Sequence, residues 1–170
     1  MPELLEHDEA NAPQQTRTAA IALGSNLPSR FGGPAENLRE ALRRLEPLGH
    51  VTAVSSFHTT EPVGYLNQPR FVNAAALLET PLAPLELLHG LLAIEQAMGR
   101  NRSTAPPKGP RIIDLDLLLL GDTLMQTPEL TLPHPAMHER TFVLAPLAEI
   151  AAEMVHPRVG MSVREMLAEV

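Results

Sequence analysis

The stretch "KGPRIIDLDLLLLGD", Lys108 to Asp122, places two carboxylates inside one of the most apolar runs of the chain. Its aliphatic and β-branched content predicts a β-strand from Arg111 to Leu120. Side chains alternate between the two faces of a strand, so Asp114 and Asp116 are expected to share one face, with Cα atoms roughly 6–7 Å apart. Two carboxylates that close repel each other unless positive charge lies nearby. The pattern therefore predicts that both converge on one cation or on a pair of cations.

A cationic segment leads directly into this strand. Between Arg100 and Arg111 the chain carries Arg102 and Lys108, its only lysine, and no acidic residue. Arginine is the usual side chain for forked contacts to phosphate or carboxylate oxygens. An isolated run of this kind is more often a solvated loop. Beside paired carboxylates, a polyphosphate with its magnesium satisfies both sets of charges at once, and we expect such a ligand here.

Composition limits the class of protein. A chain of 170 residues can form one domain with a substantial core. Cysteine is absent, so oxygen or imidazole must hold any metal. The net charge of −7 argues against nucleic acid or an anionic membrane surface as the main partner. No apolar run approaches the length of a membrane span, and the N-terminus does not have the pattern of a signal peptide. We expect a cytoplasmic protein with a disordered leader over residues 1–17.

Hydrophobic periodicity and turn signals give the order of the remaining elements. The last helix is predicted to begin at Ser162, with Glu165 completing a capping box. Strand, helix, strand, strand, helix, strand is the order of a ferredoxin-like split βαβ unit. We predict an α/β (α+β) fold, a ferredoxin-like βαββαβ sandwich with an added hairpin and C-terminal helix, in a single domain over residues 18–170. The other predicted elements are a strand at 17–25, a helix from about Pro34 to Gly49, strands at 50–59 and 70–80, a helix from Pro84 to Gly99, and a short hairpin turned by Gly121 and Asp122.

Several further residues suggest contacts to a ligand. Phe71 and Asn73 lie two apart on a predicted strand, where one ring could stack on a flat heterocycle while the carboxamide bonds its edge. A Phe on a strand is more often plain core. His134 stands between two prolines and could contact a nucleotide or simply lie in a surface loop. Glu95, on the apolar face of the second helix near Arg100, is either a structural ion-pair partner or a ligand contact.

These motifs together resemble one family, hydroxymethyldihydropterin pyrophosphokinase. The resemblance covers nearly the whole chain from about Ala19 and is carried, in the family's order, by "ALGSN", "SSFHTTEPVG", "QPRFVNAA", "GPRIIDLDLLLLG" and "LPHPAMHERTFVLAPL". It implies an α/β, ferredoxin-like fold that is usually monomeric. It also implies transfer of the pyrophosphoryl group of ATP to the hydroxymethyl oxygen of the pterin, with release of AMP.

The resemblance also implies roles for individual residues. Asp114 and Asp116 match ligands of two magnesium ions that bridge the phosphates. The catalytic set that follows is Arg100, Arg102, Arg111, Asp114 and Asp116. The residues expected at the ATP site are Glu95, Arg102, Lys108, Arg111, Thr131, His134 and Arg140. The residues expected around the pterin are Phe71 and Phe142 as two sandwiching rings, with Thr60, Val63 and Asn73 at its edge.

The sequence departs from the family's pattern at some positions and leaves other functions open. Lys108 stands where an aromatic residue commonly closes over the pterin, and Pro135 stands where a tyrosine is often found; we expect Lys108 to bind a phosphate. A different metal-dependent nucleotide enzyme would also explain the two aspartates, since nucleotidyl and glycosyl transfer use the same pattern. In a non-catalytic binding module, the aspartates would only be ion-pair partners of Arg100 or Arg102.

Overall fold

A computed structural model describes residues 15–100 and 109–170 of the protein. The predicted leader lies mostly outside the described residues, and β1 begins at Arg17. No helix in these ranges is long and apolar enough to cross a membrane. The strands are β1 (Arg17–Ser25), β2 (His50–Val54), β3 (His58–Thr60), β4 (Phe71–Thr80), β5 (Asp114–Leu120), β6 (Met125–Gln126) and β7 (Thr131–Leu132). The helices are α1 (Pro34–Arg44), α2 (Pro84–Ala97), α3 (Thr141–Ala151) and α4 (Val163–Glu169).

The main sheet has the strand order β2-β4-β1-β5, and every neighbouring pair is antiparallel. β3 continues the edge that β2 begins, because both strands pair with β4. With α1 between β1 and β2 and α2 between β4 and β5, this is the split βαβ arrangement. The predicted ferredoxin-like fold class is therefore confirmed.

The two faces of the sheet cover two separate cores. α1 and α2 pack on one face, where Leu23, Leu91 and Leu115 are buried. α3 and α4 pack on the other face, where Leu118 and Leu144 are buried. Because side chains alternate along β5, its leucines at 115 and 117 enter the first core while its two aspartates point to the second face. The aspartates lie where α3 leaves part of that face uncovered.

The structure differs from the sequence prediction in the strand expected at 50–59. It is broken into β2 and β3 at Ser55, whose buried hydroxyl accepts the backbone N–H of Ala75 at 2.9 Å. A side chain thus replaces a ladder partner, and regular pairing stops.

Two helical predictions also change. The first helix ends at Arg44 and is followed by a 3-10 turn at Glu46–Leu48, because Pro47 has no N–H to continue an α-helix. α3 was not predicted, since Pro146 stands inside it. Val143, Leu144 and Leu147 of α3 are buried against the sheet, so tertiary packing stabilises a helix that local signals disfavour.

A short hairpin is present, but β5 is not one of its strands as predicted. Gly121 has a φ of 54°, a left-handed value that glycine adopts at little cost, and the chain turns there. β5 does not pair with the segment that follows. Instead β6 and β7 form a separate two-stranded sheet.

The capping box of α4 provides a test of its docking. Ser162 Oγ accepts the Glu165 N–H at 3.1 Å, and Glu165 Oε1 accepts the Ser162 N–H at 3.0 Å, as predicted from the sequence. Ser162→Ala is expected to lower the free energy of unfolding in urea by about 1 kcal/mol. Ser162→Thr keeps the hydroxyl and is the matched control, with a smaller loss. Equal losses in the two variants would contradict the capping role.

Candidate functional site

An open pocket of about 300 Å³ lies where α3 begins, over the uncovered part of the second sheet face. β1, β4 and β5 supply its floor, the segment after β3 supplies one wall, and the start of α3 supplies the other. Its lining residues are Ala22, Leu23, Gly24, Thr60, Glu61, Val63, Phe71, Asn73, Arg111, Asp114, Asp116, Ala136, Glu139, Arg140, Phe142 and Val143.

Asp114 and Asp116 both line this pocket, so the prediction that they share a face is confirmed. In the β1–β5 register, Asp114 lies opposite Gly24 and Asp116 lies opposite Ala22. These small neighbours leave the two carboxylates accessible from the pocket rather than packed under other side chains.

Two arginines neutralise Asp114. Arg100 Nη1 donates to one carboxylate oxygen at 2.8 Å, and Arg111 Nη1 donates to the other at 3.1 Å. Arg100 Nη1 also lies 2.7 Å from Glu95 Oε2, which accepts the backbone N–H of Leu115 at the same distance. Glu95 is only 2% exposed. The pairing of Glu95 and Arg100 thus lies beneath the pocket and connects the end of α2 to β5.

Asp116 has a different environment. Within residues 15–100 and 109–170, its carboxylate forms no ion pair. Burial, then repulsion from Asp114 and Glu95, raises the pKa of Asp116 to about 7, while Arg140 and Arg100 oppose the shift. A half-buried carboxylate with this much unrelieved negative charge around it favours a cation in the pocket.

The donor set suits magnesium. No group of three or more His, Asp or Glu side chains arranged for a metal occurs in the described part of the chain. Magnesium is commonly held by one or two carboxylates, with phosphate and water oxygens completing its octahedron. Asp114 and Asp116 therefore fit an ion that is shared with a phosphorylated ligand.

The same pocket also presents two aromatic rings and a carboxamide. Phe71 begins β4, and Phe142 lies in the first turn of α3. Arg111 and Arg140 lie near these rings, with guanidinium carbons 5.8 Å and 5.7 Å from the respective ring centroids. Asn73 Nδ2 donates to Thr60 Oγ1 at 2.5 Å. Two rings with a polar edge between them could hold a flat heterocycle.

Other residues predicted for the site lie outside the pocket lining. Thr131 is in β7, paired with Gln126. His134 Nδ1 accepts the Ala136 N–H at 3.2 Å. Burial lowers the pKa of His134, Arg140 lowers it further, and Asp114 opposes the change, so its neutral form is favoured. Arg102 and Lys108 lie outside the described residues.

Sequence reasoning did not assign a role to Gly24. A Cβ at this position would lie 2.9 Å from Asn73 Oδ1, so the glycine makes room for the carboxamide. Glu61 and Glu139 also line the pocket and were not predicted. The glycine stood in the quoted "ALGSN" motif, but only the register of β1 against β4 shows what its missing side chain accommodates.

The fold and the pocket define an α/β protein whose site combines paired aspartates and arginines with two aromatic rings. A family model for 7,8-dihydro-6-hydroxymethylpterin-pyrophosphokinase (HPPK) matches residues 20–152. The chain is 46% identical over 142 residues to the 2-amino-4-hydroxy-6-hydroxymethyldihydropteridine pyrophosphokinase of Haemophilus influenzae, covering 82% of this chain and 85% of that protein. It is 45% identical over 150 residues to the Pseudomonas aeruginosa protein of the same name, covering 87% and 88%. The chain belongs to the HPPK family.

Solved structures agree on the fold. An HPPK-DHPS structure in complex with substrates superposes with a TM-score of 0.70 at 16% identity, over 91% of this chain and 43% of that one. The Plasmodium falciparum HPPK-DHPS triple mutant with pterin and p-hydrobenzoate gives 0.71 at 17% identity, over 94% and 45%. This chain thus spans less than half the length of those chains, and the likeness shows the fold alone.

The raised pKa of Asp116 predicts a pH-dependent stability in the absence of divalent cations. The folded protein holds a proton on Asp116 up to about pH 7, whereas the unfolded chain releases it near 3.8. Stability from this group therefore falls as pH rises between these values. Asp116→Asn should melt above wild type at pH 8, and the difference should shrink steadily as pH falls through 5 and nearly disappear near 3.8, measured by thermal unfolding in EDTA.

Asp122→Asn makes the same chemical change on an exposed turn and is the control. A pH-independent difference between Asp116→Asn and wild type would contradict the electrostatic origin of the effect.

Proposed function

We propose that this chain transfers the pyrophosphoryl group of ATP to the hydroxymethyl group of 6-hydroxymethyl-7,8-dihydropterin, giving AMP and the pterin diphosphate in folate biosynthesis. Family membership supports the reaction. The observation that carries it to particular residues is that one pocket is lined by the paired aspartates and also by two aromatic rings and a carboxamide.

We propose that Asp114 and Asp116 hold two magnesium ions together with the ATP phosphates. When bound, magnesium neutralises phosphate charge and can polarise the attacking hydroxyl. The two carboxylates contribute fixed negative charge on a strand, so their positions vary little. The proposal explains why Asp116 faces the pocket without an ion-pair partner among the described residues.

The arginines supply the remaining charge. Arg111 lines the pocket and pairs with Asp114, so its guanidinium can turn between that carboxylate and a phosphate oxygen. Arg100 is held more firmly, because Glu95 and Asp114 both accept from it. We propose that Arg102 and Lys108 add phosphate contacts from the adjoining segment. No side-chain nucleophile is required, because positioning and electrostatic stabilisation carry phosphoryl transfer.

We propose that the rings of Phe71 and Phe142 enclose the pterin while Asn73 bonds its polar edge. Asn73 donates to Thr60 Oγ1, and this bond holds the carboxamide at the edge of the pocket. Val63, 56% exposed, lines the pocket next to them and can cover a bound ring. Burial of a flat ring between two aromatic faces is a favourable arrangement for stacking.

The ATP side of the proposal rests on the family resemblance. Arg140 lines the pocket and lies at the N-terminus of α3. Thr131 and His134 lie outside the pocket lining, and their assignment to the ATP site rests on the resemblance alone. Glu95 contributes indirectly, because it accepts a hydrogen bond from Arg100 and holds that guanidinium in place.

The proposal also includes a monomer, with a single domain over residues 18–170, that acts in the cytoplasm. The monomeric state rests on the family resemblance. An ATP-dependent reaction is consistent with a cytoplasmic location.

A single assay tests the reaction and the aspartates. With ATP, magnesium and the hydroxymethyl pterin, wild type should form AMP and the pterin diphosphate. Inorganic pyrophosphate as the product would indicate nucleotidyl transfer instead. Asp114→Ala and Asp116→Ala should each lower turnover at least about 100-fold, because metal charge stabilisation is worth several kcal/mol.

The Ala variants distinguish a metal site from a structural ion pair. Asp114 contacts Arg100 and Arg111, so its loss also breaks ion pairs, but Asp116 has no such partner in the described residues. A folded Asp116→Ala protein with near-normal turnover would rule out the metal role.

Gly24→Ala tests the carboxamide at the pterin edge. The added methyl would lie 2.9 Å from Asn73 Oδ1 and must displace it. We expect the KM for the pterin to rise about tenfold while the KM for ATP changes little. Ala22→Gly, on the same strand and also in the lining, is the control for a general change in β1. A pterin KM equal to that of wild type in Gly24→Ala would remove Asn73 from the recognition of the substrate.

A further inference from the structure

Asn26, directly after β1, connects two segments that end at the pocket. Its Oδ1 accepts the backbone N–H of Arg111 at 2.9 Å, and its own N–H donates to the Arg111 carbonyl at 3.0 Å. Its Nδ2 donates to Gln68 Oε1 at 2.9 Å and to the Pro69 carbonyl at 3.0 Å. The residue is 2% exposed.

Backbone partners fix the orientation of this carboxamide. An N–H can only donate, so the atom facing Arg111 must be the oxygen, and a carbonyl can only accept, so the atom facing Pro69 must be the nitrogen. No other side chain of this size offers one acceptor and two donor hydrogens in that arrangement. A buried polar group that lost these partners would carry an uncompensated cost.

Both partners of Asn26 adjoin residues of the pocket. Arg111 reaches Asp114 with its guanidinium. Residues 61–70 connect β3 to β4 and are called the 61–70 loop. Pro69 lies near the end of this loop, two residues before Phe71. One side chain therefore links the backbone of the arginine that pairs with Asp114 to the backbone that leads into Phe71.

We propose that Asn26 is a positioning residue that sets the spacing between Arg111 and the 61–70 loop, and with it the distance between the two bound substrates. This inference rests on the proposed function. Asn26 does not line the pocket, so it acts through its neighbours rather than by touching a substrate. Small errors in the placement of two reacting groups are costly in rate, which gives a linking residue a measurable effect.

Asn26→Asp separates the two links. It keeps an oxygen for the Arg111 N–H but replaces the donor that faces the Pro69 carbonyl with a second acceptor, so only the loop side is lost. We expect the KM for the pterin to rise about tenfold, the effect of two lost hydrogen bonds at a buried position, and the KM for ATP to stay within about twofold. Asn26→Ala loses the side-chain bonds on both sides, keeps only the backbone bond to the Arg111 carbonyl, and should in addition lower kcat.

Asn37 offers a matched control. It is a fully buried carboxamide whose Nδ2 donates to Ser25 Oγ and to the carbonyls of Leu27 and Ile112, none of which belongs to the 61–70 loop. Asn37→Asp should lower the melting temperature and leave the pterin KM within about twofold. A similar rise in pterin KM in Asn37→Asp and Asn26→Asp would overturn the proposal, because loss of any buried carboxamide would then explain it.

Hydrogen exchange on the ligand-free protein tests the links without turnover. In Asn26→Asp the 61–70 loop should exchange faster than in wild type while the Arg111 amide stays protected; in Asn26→Ala both should exchange faster. Unchanged exchange in the 61–70 loop of Asn26→Asp would overturn the proposal. If wild type forms no AMP, the proposed reaction fails, yet the exchange data still decide whether Asn26 makes the link.

Discussion

The buried carboxylate of Glu95 is the constraint on which the site depends. One of its oxygens accepts both the Leu115 N–H and the Arg100 guanidinium, so the end of α2, the start of β5 and the first site arginine are fixed at a single point. A charge pair at this depth adds little net stability, but breaking a buried pair by removing one partner is strongly destabilising, typically by about 3–5 kcal/mol. The direction in which β5 presents Asp114 therefore follows from a contact on the other side of the strand.

In the ligand-free protein, positive charge near the pocket compensates one of the two aspartates but not the other. Asp114 is matched by Arg100 and Arg111, whereas Asp116 is buried and repelled by Asp114 and Glu95, so it takes up a proton near neutrality. A fold selected only for stability would place an apolar residue at 116, as it does at the neighbouring positions of β5. Such local conflict is expected where a protein keeps a site ready for a charged ligand.

The sequence predicted correctly those features that depend on neighbouring residues in the chain. The alternation of β5 placed both aspartates on one face, and Ser162 with Glu165 predicted the start of α4. Long-range contacts decided the rest. α3 was missed because Pro146 lies inside it, and its burial against the sheet stabilises it. The edge strand is interrupted where the Ser55 hydroxyl accepts the Ala75 N–H. Pairings between residues far apart in sequence, such as Asn26 with Gln68, have no periodic pattern that could predict them.

The pocket floor contains Ala22 and Gly24, whose side chains are a methyl group and a hydrogen atom. An inhibitor seated over these two residues would contact mainly the backbone of β1, which no substitution can delete. A mutation at these positions can only add volume, and the same volume would obstruct the natural substrate. Resistance to a compound that fills no more space than the substrate would therefore be difficult to acquire at this floor without loss of catalysis. Compounds that extend toward exposed side chains such as Val63 could be excluded by a substitution there, so resistance to them would be easier to acquire.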